Sequence, residues 1–406
     1  MTSKVKQFKP LTMSDICSTA VDQELNSAVS EDGKVRLLGR RTESLWRLVQ
    51  FMELVLKTKD LAFEVTGRDS CRCSIKKISK LADFYQGFHS FYDLYCEDVE
   101  YSPDVALFFR RLAIHPVRDC CFNRPGLSYG GDLIDADIFN NFIECLRGDA
   151  KVDGTRKKMA DWARNPNKNL ARVRSYLNAL FERYSRLLVV RVDFLYRETI
   201  LKDDQAVEDA HVALMRESDS ATTDFLHGMK LDAPAEPLAR VDVGVAKADM
   251  EKFLRQMRSN TVFDETVGYI WKMEWSRWGG YHFHCAFFFD GSEVQSDYLL
   301  AKGVGEHWEA VTEGRGFSHN CNQDPRKYRN WGIGRVDHYD HQKREMLGKA
   351  ISYLAKRDQY VRMKPTGKHR SFQTGVIKKK ISRAGRPRSK VPLTAIGNRT
   401  VLDSEA

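Results

Sequence analysis

The sequence predicts an α+β protein: an antiparallel or mixed central sheet with helices on one face, preceded by a mostly helical N-terminal region. Three observations support this prediction. Two stretches rich in aromatic and β-branched residues, Tyr269–Trp275 and Tyr281–Phe289, flank a short segment ending in Gly-Gly, which is typical of a β-hairpin. From Leu187 onward the patterns read strand, helix, strand, strand, helix, strand, helix. Before that point, apolar residues recur mainly at helical spacing.

Composition narrows the class of protein. The 406 residues are enough for two domains, and a hydrophobic content of 42% is ordinary for a protein with a packed core. No apolar run approaches the length of a membrane span, so we expect no membrane partner. The first residues, MTSKVKQFKPLTMSD, lack the apolar core of a signal peptide, so we expect a cytoplasmic protein. The nine cysteines include no Cys-x-x-Cys, which predicts reduced thiols.

The chain divides into four predicted parts. Residues 1–41 form a polar N-terminal arm, and residues 42–169 form the helical N-terminal region. The main α+β domain occupies residues 170–362 and contains a poorly patterned insertion at 197–239, and a basic tail follows at 363–406. Within the N-terminal region, helical spacing predicts helices at Glu43–Lys57, Ile75–Tyr95, Asp104–Ala113 and Asp135–Leu146.

The main domain begins with a helix, Leu170–Ser185, that leads into the strand Leu187–Tyr196. The continuous apolar run of this strand suggests a central position with both faces covered. Asp193 interrupts the run, either as a site-facing carboxylate or as a structural acid. The later elements are predicted to be a helix at Lys247–Arg258, the hairpin, a helix at Asp297–Val311, a polar loop at Gly314–Asn330, a strand at Trp331–Tyr339 and a helix at about His341–Arg362.

The hairpin carries a candidate metal site. Side chains alternate between faces along a strand, so His282 and His284 project from the same face. If Glu274 pairs across from His282, its carboxylate joins them, and two nitrogens with one oxygen suit a divalent cation that keeps open positions. Hydrogen-bonded core histidines are the alternative interpretation. His338 and His341, at a strand-to-helix junction, are rival ligands that rank below Glu274.

The last predicted helix carries a second candidate group. Tyr353, Lys356 and Tyr360 lie three and four residues apart, and Lys349 precedes Tyr353 by four, so all four share nearly one helix face. A tyrosine is a possible covalent nucleophile, and a nearby ammonium can support its ionised form and neutralise phosphate charge. The alternative is an amphipathic surface helix whose lysines extend along it.

The tail carries the excess positive charge. The net charge is +10, and between Gln359 and Leu402 there are twelve Lys/Arg and no acidic residue, which indicates a polyanion-binding segment or a solubilising tail. Gly385-Arg386-Pro387 is similar to the core of a minor-groove AT-hook, with generic phosphate binding as the alternative. The candidate DNA-binding residues are Lys378, Lys379, Lys380, Arg383, Arg386 and Arg388.

Together these motifs resemble a known family. A strand with His-hydrophobic-His, a carboxylate on the preceding strand and a downstream Tyr-x-x-Lys helix resemble the HUH endonucleases, and histidines before tyrosine resemble their replication-initiator branch. The phrases GGYHFHCAFFFDG and ISYLAKRDQY are similar to the inovirus gene-two, or YagK/YfjJ-like, replication initiators of filamentous phages and integrated bacterial elements. The resemblance covers roughly residues 170–372 and implies an HUH/RRM-like palm. Leu187–Tyr196 lacks the threonine pattern of the family's first motif, which leaves the role of Asp193 open.

The resemblance implies a nick-and-join reaction that initiates rolling-circle replication of a phage or integrated mobile element. His282, His284 and Glu274 would hold Mg²⁺ or Mn²⁺. Tyr353 would attack phosphorus to give a 5′-phosphotyrosine and a free 3′-hydroxyl, and Lys356 would steady the tyrosinate or the phosphate. Tyr360 would be a second nucleophile, a packing residue or a DNA contact.

The implied partners are single-stranded or origin DNA and the host replication machinery, in a bacterial cytoplasm at the nucleoid. The sequence has no Gly-x-x-x-x-Gly-Lys-Ser/Thr motif, so a host helicase as well as a polymerase would be required. Two alternatives share the motifs: a DNA-binding regulator that keeps the fold without catalysis, and a transposase of the same chemistry.

Overall fold

The computed structural model describes residues 27–29, 35–37, 42–67, 74–96, 99–122, 124–130, 133–200, 202–228, 240–276, 280–323, 331–356, 361–363 and 371–377. Within these residues, no helix combines the length and apolar character needed to cross a membrane. The α-helices are α1 (Thr42–Lys57), α2 (Pro103–Ile114), α3 (Asp135–Val152), α4 (Thr155–Arg183), α5 (Asp204–His227), α6 (Val243–Gln256), α7 (Asp297–Val311) and α8 (His341–Lys356).

Four two-stranded sheets and one larger sheet make up the β-structure of the described residues. In chain order the strands are β1 (Ser27–Val29), β2 (Val35–Leu37), β3 (Phe63–Thr66), β4 (Ser74–Lys77), β5 (Val99–Tyr101), β6 (Ser128–Gly130), β7 (Leu133–Ile134), β8 (Arg186–Tyr196), β9 (Thr266–Ser276), β10 (Gly280–Asp290), β11 (Gly316–Asn320), β12 (Gly334–Asp337), β13 (Val361–Met363) and β14 (Phe372–Thr374).

The central sheet has six antiparallel strands in the order β11, β8, β10, β9, β14, and β12 also pairs with β8. Strand β8 is central: β10 lies along one of its edges, while β11 and β12 share the other edge. The predicted α+β class, the antiparallel sheet and the helical N-terminal region are therefore confirmed.

Helices cover both faces of this sheet, whereas the sequence pattern predicted them on one. One face, bearing Val192, Phe194 and Phe283, packs against α6 and α7. The opposite face, bearing Val189 and Phe288, packs against α4 and α8. The physical reason is that β8 and β10 are apolar on both sides, so each side needs its own helical layer to exclude water.

The N-terminal region has its own aromatic core, in which Phe51 and Phe88 contact several other rings. The predicted helix at Ile75–Tyr95 is wrong. Ile75 instead pairs with Val65 in the β3–β4 hairpin, and two 3₁₀ helices follow, separated by Gly87 with φ +79°. That left-handed conformation favours glycine and ends helical continuation.

The insertion at 197–239 contains a long helix, α5, that the sequence did not reveal. Near its end, the Phe225 ring stacks on Tyr95 with centroids 3.9 Å apart, and Leu226 is buried in the N-terminal core. The Arg118 guanidinium donates to the Leu226 carbonyl at 2.6 Å. The insertion is thus attached to the N-terminal region.

Three boundaries differ from the predicted ones. The division between 169 and 170 lies inside α4, a continuous helix of 29 residues. The last helix ends at Lys356, and β13 pairs with β5 of the N-terminal region instead of extending that helix. Residues 372–374, predicted as tail, form β14 beside β9, and Phe372 is buried there.

The predicted polar loop at Gly314–Asn330 also contains a strand. Residues 316–320 form β11, which pairs with the second half of β8. Short edge strands such as β11 and β14 carry little apolar periodicity, so their pairing is decided by the neighbouring strand and not by their own sequence.

Candidate metal centre

The sheet face beneath α4 and α8 changes from apolar to polar along its length. Near the beginning of β8 it presents Leu187 and Val189, with Ala286 and Phe288 from β10. Further along β8 and near the facing ends of β9 and β10, the same face presents six polar or charged side chains with low exposure: Arg191, Asp193, Lys272, Glu274, His282 and His284.

Strand register brings the three predicted ligands together. Glu274 pairs directly with His282, as the hairpin pattern predicted, and His284 is the next residue on the same face of β10. One ligand atom from each of the three lies within 4.8 Å of the others, and the His284 Nε2 is 3.4 Å from the Glu274 Oε2. Among the described residues, no other group of His, Cys, Asp or Glu side chains meets this geometry.

Hydrogen bonds fix the orientation of both imidazoles. The His282 Nδ1 lies 3.2 Å from the Gly280 carbonyl, and the His284 Nδ1 lies 2.7 Å from the Asp193 Oδ1. Because both partners are acceptors, each Nδ1 carries the proton, and each Nε2 keeps its lone pair. The Gly280 carbonyl is placed by a left-handed backbone, φ +59°, that favours glycine.

The electrostatics favour a neutral His282. Burial, together with the charge of neighbouring His284, lowers the pKa of His282 to about 4. Burial would raise the pKa of the Asp193 carboxyl, but the charges of His284 and Arg191 hold that pKa well below its ordinary value. Asp193 is thus an anion that can keep the His284 Nδ1 protonated.

The donor set fits a divalent cation. Two imidazole nitrogens and one carboxylate form a three-ligand set that leaves positions for water or substrate, and each histidine has the second hydrogen bond typical of metal ligands. The cluster of Glu274, His282 and His284 could therefore hold a metal ion. All three side chains are at most 5% exposed, so a substrate reaches them only after the covering layer opens.

Asp193 and Lys272 are the site residues that sequence reasoning left open or missed. In the sheet, Asp193, His284 and Lys272 form one cross-strand row, with His319 of β11 opposite Asp193 on its other side. In the sequence, both residues are recognisable as charged residues within otherwise apolar strands. Their neighbours among the metal ligands could not be predicted, because the order of the strands in the sheet was not known.

Asp193→Ala is predicted to weaken Mn²⁺ binding by about 10- to 100-fold, because the imidazole of His284 loses its orienting acceptor. Isothermal titration calorimetry of the metal-stripped protein measures this loss. Asp193→Asn, which keeps an acceptor oxygen, should lose less. Wild-type affinity in a folded Asp193→Ala protein would contradict the positioning role.

The proposed nucleophile lies on a helix that covers the same sheet face. Leu347 and Ile351 of α8 are buried against that face, and Tyr353 and Lys356 belong to the last turns of α8. The side chains of these two residues lie outside the described part of the structure. So do Tyr360 and the candidate DNA-binding residues Lys378, Lys379, Lys380, Arg383, Arg386 and Arg388.

The rival ligands lie elsewhere. The backbone N–H of His338 donates to the Ser185 carbonyl at 2.8 Å, just before β8 begins. Ser185 and Asp193 are eight residues apart, roughly 26 Å in an extended strand. His341 begins α8 in an exposed position. Neither belongs to the metal cluster, in agreement with their lower rank.

The fold and the site define an α+β protein with a candidate metal centre on one inner face of an antiparallel sheet. The family model of the YagK/YfjJ C-terminal domain matches residues 155–375, more than half of the chain. The chain belongs to this family, and the matched segment begins at the first residue of α4 and ends just after β14. Searches of the curated proteins and of the solved structures gave no match.

Proposed function

We propose that this protein is a metal-dependent, site-specific DNA endonuclease of the HUH type. It would nick and rejoin single-stranded DNA through a covalent 5′-phosphotyrosine and so initiate rolling-circle replication of a phage or integrated element. The observation that carries the proposal is the cluster of Glu274, His282 and His284, with both imidazoles oriented for metal binding.

The placement of α8 supports this proposal. The helix starts near the beginning of β8, and its twelve-residue advance from His341 to Tyr353 covers about 18 Å. Along β8, Ser185 and Asp193 are roughly 26 Å apart. A helix directed along β8 would therefore carry Tyr353 most of the way to the metal centre, on the same side of the sheet.

In the proposed reaction, the phenolate oxygen of Tyr353 attacks phosphorus, the bond from phosphorus to the 3′-oxygen breaks, and that oxygen leaves as a 3′-hydroxyl after taking up a proton. A bound Mg²⁺ or Mn²⁺ would supply Lewis-acid polarisation of the phosphate. Lys356 would stabilise the phenolate. Lys272, 3% exposed and paired with His284 in register, would add positive charge near a phosphate oxygen.

A second function is favoured by the burial of the ligands. If the cluster of Glu274, His282 and His284 stays closed, its metal would stabilise the fold, and the protein would be a DNA-binding regulator without catalysis. In that case removal of the metal lowers the melting temperature, and no covalent DNA adduct forms.

One experiment separates the two functions. The full chain is incubated with Mn²⁺ and circular single-stranded DNA of its own element, then analysed on a denaturing gel with and without nuclease digestion. A DNA-linked, nuclease-sensitive protein band supports the endonuclease. Absence of that band, together with a metal-dependent melting temperature, supports the regulator. Transfer between two element ends, in place of self-joining, would indicate a transposase.

The basic tail gives an independent prediction about DNA affinity. Truncation after Ile377 retains β14 and removes the basic residues from Lys378 onward. The slope of log affinity against log salt should become less steep by about 0.7 to 0.9 for each phosphate that the tail neutralises in the full-length protein. Fluorescence anisotropy with labelled DNA measures the slope, and a full-length variant with these basic residues changed to Gln is the control. Identical slopes would mean that the tail does not bind phosphates.

A further inference from the structure

Helix α4 contacts both the N-terminal region and the layer of helices on the central sheet. It contacts α2 and α3 of the N-terminal region and also α8 and β14. The contacts with α8 and β14 include Arg344 over the Phe181 ring and Gly375 beside Tyr176. Val173 and Leu177 bury their side chains against the sheet face that carries the metal centre. The outer surface of α4 therefore lies on the metal-centre side of the sheet.

This outer surface is strongly basic. Between Thr155 and Arg183 there are eight Lys/Arg and two acidic residues. By contrast, α5 holds six acidic residues and one arginine. These two helices thus carry opposite net charge. The exposed basic residues of α4 are Arg156, Lys157, Lys158, Arg164, Lys168, Arg172 and Arg174.

Four of these residues form one stripe, the α4 basic face: Lys157, Arg164, Lys168 and Arg172. Their spacings of seven, four and four residues place them on the same side of the helix. Arg164 pairs with Asp161, whereas the side chains of the other three form no hydrogen bond or ion pair within the described part of the chain. The stripe is about 22 Å long at 1.5 Å per residue.

We infer that the α4 basic face binds the sugar-phosphate backbone of DNA on the side of the sheet that carries the metal centre. Its length matches roughly six nucleotides at 3.4 Å per step of one strand, and its row of exposed cations complements a row of phosphates. The inference requires that DNA be the ligand, but it does not require nicking. A DNA-binding regulator would use the same face.

The sequence supports the same class of ligand. Between Gln359 and Leu402 there are twelve Lys/Arg and no acidic residue, so the chain carries a second basic segment besides α4. Each segment has the charge that a polyanion such as DNA requires.

The test compares two full-length variants with equal reduction of charge. In the first, Lys157, Arg164, Lys168 and Arg172 are changed to Gln. In the control, four exposed basic residues outside α4 are changed to Gln: Lys76, Lys80, Arg255 and Lys302. Both are titrated with a fluorescein-labelled 30-nucleotide DNA between 50 and 200 mM salt, after melting curves have shown that they are folded.

We expect the salt slope of the α4 variant to be lower by about 2 to 3, at about 0.7 for each phosphate of single-stranded DNA, and the control to match the wild type. Equal slopes for the two variants would overturn the inference. Tighter binding to RNA of the same length, abolished in the α4 variant, would also overturn it by assigning the face to RNA. Binding is measured without metal, so it does not depend on nicking. A protein that shows the slope difference but does not nick DNA would therefore refute the proposed nicking and leave the DNA-binding inference standing.

Discussion

Tyr353→Phe is expected to abolish the covalent protein–DNA adduct and to reduce nicking by about 10³-fold or more, because the substitution removes the attacking oxygen. The ring and the helix propensity of position 353 change little, so DNA affinity should stay within about twofold of wild type. The measurement is a denaturing-gel assay of labelled single-stranded DNA with Mn²⁺, beside an anisotropy titration of the same variant.

A matched control is available at the start of the same helix. Tyr339 lies two residues before α8 and is 65% exposed, so Tyr339→Phe should form adduct at the wild-type rate. An adduct that survives in Tyr353→Phe and disappears in Tyr360→Phe would transfer the role of nucleophile to Tyr360. An adduct that survives both substitutions would remove both tyrosines from the mechanism.

His284→Ala is expected to weaken Mn²⁺ binding by about 100-fold or more and to eliminate nicking. His284 supplies one of three ligands and also connects the cluster to Asp193 through the 2.7 Å hydrogen bond. The substitution leaves the Asp193 carboxylate buried without its imidazole partner, so the melting temperature should also fall. Calorimetric titration with Mn²⁺ measures the first effect and circular dichroism the second.

Two companion variants make this test specific. His284→Gln retains a side chain of similar reach and separates loss of the ligand nitrogen from loss of packing. His338→Ala removes a histidine that lies at the opposite end of β8, so it should bind Mn²⁺ like the wild type. Unchanged metal binding in a folded His284→Ala protein, or loss of binding in His338→Ala, would place the metal elsewhere.

The metal site on β9 and β10 could be predicted from the sequence because these two paired strands follow each other directly in the chain. Only three residues separate β9 from β10 in the sequence, so the alternation of side chains sufficed to place Glu274 beside His282. Asp193 and Lys272 could be recognised as charged residues in apolar strands, but their roles at the metal site could not be assigned. The contact of Asp193 with His284 depends on pairing between strands about ninety residues apart.

Other features depend on tertiary context. The helical spacing in Ile75–Tyr95 was misleading because Ile75 pairs with Val65 and Gly87 adopts a left-handed conformation. Coverage of both sheet faces was already implied by the apolar run of β8, yet the helices were assigned to one face. Strand β14 follows a long polar segment, and only its pairing with β9 identifies it as part of the sheet.

The proposed metal centre and nucleophile can be located together by the anomalous scattering of Mn²⁺ in crystals grown with a short single-stranded DNA. We expect an anomalous peak for Mn²⁺ next to the Nε2 atoms of His282 and His284 and the Glu274 carboxylate. The gap between this peak and the Tyr353 hydroxyl should be filled by one phosphate group of the DNA. A peak bound by other residues, or a Tyr353 side chain directed away from this peak, would contradict the proposed endonuclease.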